Sequence, residues 1–155
     1  MLRSNTYTRL HIHFVFAVKY REAMIQYPWN IALHKYIAGI LLKLHHHPIC
    51  INSMPDHIHI LAGINPSQSI SDLMITVKKE SNLFINKNRF TTKKFHWQEG
   101  YGAFSVSHMH LEKIKDYIVN QQQHHAKMSF TNEYLNILKK NQIDYNPAYI
   151  FHKLL

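Results

Sequence analysis

The sequence predicts an α+β fold in which one antiparallel sheet carries two helices on one of its faces. Three observations support this fold class: an alternating apolar segment near the start, two further strand-like segments joined by a tight turn, and helical periodicity between the strands. The chain has 155 residues, of which 46% are hydrophobic. That length and apolar content suit one domain with its own core, so we expect a single domain over residues 1–155.

The first two elements are a strand and a helix. Side chains alternate between apolar and mixed character from Tyr7 to Lys19, which is typical of a strand with one buried face. Pro28 and Trp29 begin a helical segment that runs to about His46. Proline is favoured at the first position of a helix, and a second proline at position 48 ends the segment.

The middle of the chain contains a hairpin and a second helix. Residues 49–54 and 57–63 have strand character, and Pro55-Asp56 between them predicts a turn. Ser67 or Ser69 then caps a helix from Ile70 to about Asn86. Residues 87–100 are polar and basic and predict a mobile loop.

The last elements are a short strand and two helices. Residues 104–106 form the strand, Ser107 caps a third helix to about Lys127, and a fourth helix runs from Phe130 to Lys140. The first six elements, β-α-β-β-α-β, match the ferredoxin-like pattern that RNA-recognition domains share. We expect this core over about residues 5–107, the third helix over 108–127, and a C-terminal helix and tail over 129–155. The second face of the sheet is left for function or for another subunit.

The charge balance predicts a polyanionic partner. Lysine and arginine number 18 against 9 acidic residues, a net charge of +9, which indicates nucleic acid or an anionic membrane surface. No segment has the roughly 18 apolar residues of a membrane span, and residues 1–20 lack a signal-peptide core. The single cysteine, Cys50, excludes a disulfide framework and a thiolate zinc site. We therefore expect a cytoplasmic protein.

The sharpest local motif is Asp56-His57-Ile58-His59. On a strand His57 and His59 project from one face while Ile58 enters the core, so two imidazoles could chelate one cation. Two solvent-facing histidines are an equally good interpretation of the spacing alone.

Other histidines compete with this pair. His11 and His13 have the same spacing on the first strand and are predicted to lie on the same face of the sheet. His108 and His110 fall on the first turn of a helix, where residues two apart point about 200° from each other. The run of residues 45–47 ends a helix and is interpreted as structural.

A second motif lies on the third helix. Tyr117 and Gln121 are four residues apart and share a helix face. A tyrosine there is more often a packing residue, but a glutamine carbonyl oxygen is a competent ligand for Mg²⁺ or Mn²⁺. The two side chains together are compatible with a metal site.

These motifs resemble those of the HUH single-tyrosine transposases of the insertion-sequence 200/605 family. The resemblance extends over roughly residues 8–130 in the same order. Its four segments are Phe14-Val15-Phe16-Ala17-Val18-Lys19-Tyr20-Arg21, Met54-Pro55-Asp56-His57-Ile58-His59, Trp97 to Ser107, and Tyr117-Ile118-Val119-Asn120-Gln121-Gln122-Gln123-His124-His125.

The resemblance implies a role for each matching residue. His57, His59 and Gln121 would bind the metal, Mg²⁺ or Mn²⁺, and Tyr117 would be the nucleophile. The implied function is cleavage and rejoining of single-stranded DNA at element ends through a 5′-phosphotyrosine, with recognition of DNA hairpins. The implied assembly is a homodimer in which the Tyr117 helix can be swapped between subunits. The protein would be nucleoid-associated when it acts on DNA.

Several residues are predicted to contact DNA. The basic and histidine candidates are His13, Lys19, Arg21, Lys78, Lys79, Arg89, Lys93 and Lys94. Trp97, Tyr101 and Phe104 could stack on unpaired bases, although Phe104 on a strand is more often a core residue. Because two neutral histidines and a glutamine carry no negative charge, we also expect metal and DNA to bind cooperatively.

Three alternatives remain at this point. A ferredoxin-like module could bind single-stranded nucleic acid without cutting it, although the aromatic signature of RNA-recognition domains is missing. A former transposase could retain hairpin binding alone. A histidine-based phosphate hydrolase is the third class. Histidine-triad hydrolases would need a histidine at position 61, where this chain has Leu61, and the paired motifs of two-histidine phosphoesterases are absent.

Overall fold

A computed structural model describes residues 5–150. It contains one four-stranded antiparallel sheet in the order β2-β3-β1-β4. The strands are β1 (His11–Ala17), β2 (His47–Met54), β3 (His57–Gly63) and β4 (Gly102–Val106). The helices are α1 (Trp29–Lys43), α2 (Ile70–Lys87), α3 (Leu111–Val119), α4 (Gln121–His125), α5 (Phe130–Lys140) and α6 (Pro147–Ile150). The predicted α+β, ferredoxin-like class is confirmed.

The main core lies between the sheet and the layer formed by α1 and α2. Phe14 and Phe16 of β1 point into it, as do Ile58 and Ile60 of β3, and all four are almost completely buried. The alternation of strand side chains therefore places the core residues as the sequence predicts. His57 and His59, which alternate with these two isoleucines, consequently face away from this core.

The second face of the sheet is covered by α5. Phe130 and Leu138 of α5 pack against Val15 and Ala17 of β1 in a separate apolar cluster. These two α5 residues are eight apart, two turns along one helix face. The second face, expected to be left for function or for another subunit, is thus partly occupied by a helix of the same chain.

Gly102 allows α5 to approach the edge strand β4. A Cβ atom at this position would lie 2.8 Å from the Phe104 ring and 2.8 Å from the Tyr134 hydroxyl. Only glycine leaves space for both contacts, so the first residue of β4 helps to seat the helix that covers the second face.

The segment between α2 and β4 packs into the core. Phe95 is completely buried and Trp97 is 7% exposed. The Asn86 side chain accepts a hydrogen bond from the Phe95 amide at 2.8 Å and donates one to the Phe95 carbonyl at 3.0 Å, while the Trp97 indole donates to Ser81 at 2.9 Å. The expectation of a mobile loop is wrong here, because two aromatic side chains anchor it.

The predicted third helix is divided into three pieces. A 3-10 turn occupies His108–His110, α3 follows, and Asn120 with φ −95° and ψ 23° separates α3 from α4. The amide of Asn52 on β2 donates to the carbonyls of Ile118 at 2.8 Å and Val119 at 3.3 Å. This contact satisfies carbonyl groups that a helix end leaves unpaired, which explains why α3 ends there. No helix among residues 5–150 is long and apolar enough to cross a membrane.

Candidate active site

His57 and His59 lie side by side on β3, beneath α5. They pair in register with Ala17 and Val15 of β1, so they face the second side of the sheet as the strand alternation predicts. Both side chains are completely buried. They are therefore not solvent-facing histidines, and their environment requires polar partners.

The ring of each histidine has its Nδ1 atom occupied by a neighbour. His57 Nδ1 lies 2.7 Å from Asp56 Oδ1, and His59 Nδ1 lies 2.8 Å from His13 Nε2. When Nδ1 carries the proton and donates it to such a partner, the Nε2 lone pair becomes available to a metal ion. The ionised carboxylate of Asp56 can only accept, so it favours in His57 the tautomer that a metal ligand needs, and His13 does the same for His59 when its Nε2 atom is unprotonated.

Glu133 of α5 lies where the two Nε2 atoms converge. Its Oε1 atom is 3.3 Å from His57 Nε2 and 3.3 Å from His59 Nε2, and the residue is 2% exposed. Glu133 is not among the site residues predicted from the sequence, none of which carries a negative charge. An acidic residue one turn after a buried phenylalanine on an amphipathic helix was the available signal.

Gln121 and His125 complete the cluster from α4. Gln121 Oε1 lies 3.2 Å from His57 Nε2, and its amide nitrogen donates to Glu133 Oε2 at 2.9 Å. His125 Nε2 lies 2.9 Å from Glu133 Oε1 and 3.0 Å from Gln121 Oε1. Gln121 is therefore brought to the histidine pair, and His125 is a neighbour that the sequence analysis missed.

The cluster has the donor atoms of a metal site. Ligand atoms of His57, His125 and Glu133 all lie within 4.8 Å of one another. Imidazole nitrogens with a carboxylate and an amide oxygen suit a divalent cation. The side chains of the described residues thus fit such an ion, and they leave its identity open.

Tyr117 of α3 reaches the same cluster. Its hydroxyl donates a hydrogen bond to Glu133 Oε2, its ring is stacked on His124 with centroids 4.6 Å apart, and its ring meets His59 edge-on at 6.0 Å. Although Asn120 interrupts the helix between them, Tyr117 and Gln121 still converge on one carboxylate.

Burial and hydrogen bonding set the charges in this cluster. Burial opposes ionisation of Glu133, but hydrogen bonds from His57, His59 and Tyr117 outweigh it and lower the pKa of that carboxyl. Burial lowers the pKa of His59, whereas in His57 the contacts with Asp56 and Glu133 overcome burial and raise the pKa. Burial raises the pKa of the Tyr117 phenol, and the Glu133 contact raises it further. The cluster is thus an anionic carboxylate among imidazoles and a neutral phenol.

The remaining histidine motifs lie outside the cluster, except for His13, which bonds His59 at 2.8 Å. His11 stacks on His108 at 6.0 Å, away from Glu133. His46 accepts from the Asn65 amide at 3.0 Å and bonds Gln68 at 2.5 Å, which agrees with a structural interpretation of that run. His13 is 4% exposed, and burial lowers its pKa to about 3.

The predicted DNA-contacting residues are spread over both sides of the sheet. Lys78 and Lys79 belong to α2, in the helix layer opposite the histidine cluster. Lys78 donates to the carbonyls of Gln98 and Gly100, and burial lowers its pKa to about 8. Lys78 is therefore engaged in holding the segment before β4. Lys79, Arg89, Lys93 and Lys94 are exposed.

Two predicted contacts near the end of β1 differ from these. Lys19 and Arg21 are partly buried, and Arg21 donates to Thr131 of α5. Trp97 and Phe104, predicted as base-stacking candidates, are buried at 7% and 5% exposure. Trp97 therefore belongs to the core, and Phe104 has the core position that its strand predicts.

The fold and this cluster together define a class of protein: a ferredoxin-like domain with a His-x-His strand and a tyrosine on a late helix. This is the class that the sequence motifs resemble. The sequence profile of the IS200-like transposases matches residues 6–121. Since the match covers well over half of the chain, the protein belongs to the IS200-like transposase family.

Individual relatives agree with this family. The ISDra2 transposase TnpA of Deinococcus radiodurans is 26% identical over 118 residues, which cover 73% of this chain and 84% of the relative. A crystal structure from D. radiodurans R1, provisionally described as a transposase, has a TM-score of 0.62 at 22% identity and covers 78% of this chain and 97% of its own. The structure of a REP-associated tyrosine transposase bound to a REP hairpin has a TM-score of 0.61 at 12% identity, with coverage of 100% and 99%. At these identities the two solved structures support the fold.

Proposed function

We propose that this protein is a metal-dependent transposase that cleaves and rejoins single-stranded DNA through a 5′-phosphotyrosine on Tyr117. The observation that carries the proposal is the convergence of Tyr117, His57, His59 and Gln121 on the buried carboxylate of Glu133. A packing tyrosine and surface histidines would not share one buried anionic partner. Membership of the transposase family supports the same reaction class.

His57, His59 and Gln121 are the proposed metal ligands, and the geometry adds Glu133 and His125 to the available donors. A divalent ion held there would act as a Lewis acid on the scissile phosphate. Magnesium favours oxygen ligands, whereas imidazole nitrogens suit manganese and later transition ions better. This donor set therefore supports Mn²⁺ at least as strongly as Mg²⁺.

Tyr117 enters the reaction as a neutral phenol. Its oxygen forms a bond to the phosphorus, the bond from phosphorus to the 3′ oxygen breaks, and that oxygen takes a proton from water to become the 3′-hydroxyl of the released strand. The phenolic proton has to leave during this step, and Glu133, which already accepts the hydroxyl's hydrogen bond, is in position to receive it. Because the phosphotyrosine retains a phosphoester bond, a 3′-hydroxyl of another strand can reverse the step.

The proposed DNA partner is a strand that forms hairpins near the element ends. The net charge of +9 supports a polyanionic partner, and the REP-associated relative is described as bound to a hairpin. A homodimer with exchanged Tyr117 helices stays a prediction, as does the single domain over residues 1–155. Within one described chain, Tyr117 already reaches the histidine cluster.

The direct test is a covalent adduct with DNA. Labelled single-stranded hairpins taken from the DNA flanking the gene are incubated with the protein and Mn²⁺ or Mg²⁺, and the products are separated under denaturing conditions. We expect a labelled protein band that requires the metal and is absent from Tyr117→Phe.

Tyr149→Phe is the matched control, since Tyr149 is 85% exposed and distant in sequence from the cluster. It should form the adduct like the unchanged protein. An adduct that persists in Tyr117→Phe would assign the nucleophile elsewhere. Hairpin binding without an adduct, over the full panel and both metals, would reduce the function to DNA binding.

A further inference from the structure

A cavity of about 620 Å³ opens beside Tyr117, and the reaction described above assigns it no role. Tyr117 and Glu133 line its inner end, while Phe104, Ile114 and Ile137 contribute apolar walls. Its volume lies within the range of about 300–1,000 Å³ that is usual for small-ligand sites. The cavity is therefore large enough for one organic group placed next to the nucleophile.

Three lysines surround this cavity. Lys113 comes from α3, Lys127 from the segment after α4, and Lys140 from α5, and all three are exposed lining residues. None of them is among the DNA contacts predicted from the sequence. Apolar walls within a ring of cations match a ligand that has a flat apolar body and anionic groups on its outside.

The cavity also offers stacking and hydrogen-bonding groups. His124 lines it and is stacked on the Tyr117 ring, and unpaired bases stack on such aromatic platforms. The amide side chains of Gln123, Asn136 and Asn141 line it as well. Amides provide a donor and an acceptor together, which suits the edge of a base.

We propose that this cavity binds the base of the unpaired nucleotide next to the scissile phosphate, with the three lysines on the adjoining backbone phosphates. The inference rests on the proposed function, because it assumes that the phosphate is held at Tyr117. The nucleotide joined to that phosphate then lies beside Tyr117, within reach of the cavity. One unstacked base fits a cavity of this volume, whereas a duplex does not.

Binding is measured without the chemical step, so that the pocket and the reaction are tested separately. A fluorescent oligothymidylate of about six nucleotides, comparable to single-strand site sizes, is titrated with the protein in the presence of EDTA. Asn136→Phe places a ring in the cavity, and we expect it to raise the Kd at least about tenfold. Asn132→Phe is the control, since Asn132 is an exposed residue of the same helix that does not line the cavity.

A second pair of variants tests the lysines. The double substitution Lys113→Gln with Lys140→Gln should weaken binding and reduce the slope of log K against log salt by about 1.4, at about 0.7 per lost phosphate contact. The double substitution Lys115→Gln with Lys139→Gln removes the same charge from the same two helices outside the cavity, and it should retain most of the slope.

The proposal is overturned if Asn136→Phe binds like Asn132→Phe, or if both lysine doubles lower the slope equally. The second result would assign the lysines to general charge attraction. Should Asn136→Phe fail to fold, as judged by thermal unfolding, the lysine doubles still decide. A chain that binds DNA as expected but never forms an adduct contradicts the proposed reaction and leaves the pocket supported.

Discussion

At the scale of single residues, Glu133 changes how the candidate site is understood. Histidines and a glutamine alone would form a neutral ligand set, which would depend on the DNA phosphate for negative charge. A buried carboxylate within 3.3 Å of two imidazoles supplies that charge from the protein. The expected cooperativity between metal and DNA is correspondingly reduced.

Substitution of Glu133 by glutamine tests this interpretation. Glu133→Gln keeps the shape of the side chain and removes its charge, so we expect Mn²⁺ affinity in the absence of DNA to fall at least about tenfold, or about 1.4 kcal/mol. Isothermal titration calorimetry measures the change. Glu112→Gln, an exposed residue of α3, should bind the metal normally. Equal binding by Glu133→Gln would show that the carboxylate is not a metal ligand, and tighter binding would show that it occupies the imidazole nitrogens in place of the ion.

The residues of this site differ in how readily they can be identified from the sequence. His57 and His59 were identifiable because strand alternation fixes their common face, and Tyr117 with Gln121 because of the family resemblance. Glu133 and His125 were not, because their positions depend on how α4 and α5 fold back over the sheet. A contact that depends on how distant segments fold together produces no characteristic residue spacing in the sequence.

At the scale of elements, the junction between α3 and α4 determines where Tyr117 lies. Asn52 on the edge strand β2 holds the end of α3 through the carbonyls of Ile118 and Val119. This contact fastens the tyrosine helix to the sheet that carries the histidines. Tyr117 and Gln121 thus reach the same carboxylate from two separate helices.

Removal of the Asn52 side chain should loosen that junction. We expect Asn52→Ala to lose about 1 kcal/mol of unfolding free energy and to form the covalent DNA adduct several-fold more slowly, because Tyr117 is less well positioned. Asn88→Ala removes a comparable contact, from Asn88 to the Phe84 carbonyl at 2.8 Å at the end of α2, and should affect stability without affecting the adduct rate. Equal rates in the two variants would contradict a positioning role for Asn52.

The order and type of the core helices and strands could be predicted from the sequence. The places where tertiary contacts interrupt or anchor them could not. Strand alternation and proline positions gave β1, α1 and the hairpin close to their observed bounds. The break at Asn120 depends on a side chain from β2, and the packing of residues 95 and 97 depends on partners in α2 and β1. A local sequence pattern indicates which secondary structure a segment prefers, whereas the helix break and the buried aromatic residues depend on contacts with distant parts of the chain.

At the scale of the whole molecule, stability should fall in mild acid. His34 of α1 bonds Ser53 of β2 at 2.7 Å, and burial lowers its pKa from 6.5 to about 4. As the pH falls below 6.5, the unfolded chain takes up this proton before the folded protein does. The stabilisation is thus complete above about pH 6.5 and is lost progressively as the pH approaches about 4.

Urea unfolding at about pH 7.5 and about pH 5 measures this effect. His34 alone should account for up to about 2 kcal/mol of the difference. His34→Gln should therefore show a smaller loss between the two pH values than His110→Gln, which changes an exposed residue. An identical loss in both variants would show that other groups cause the acid sensitivity.

The family profile ends at residue 121, yet the cluster continues to His125 and Glu133. The residues matched by the profile therefore include the histidine strand and the tyrosine, while the carboxylate comes from a segment that the profile does not match. A change in this C-terminal segment should therefore alter both the ion that the cluster prefers and the group that receives the tyrosine proton.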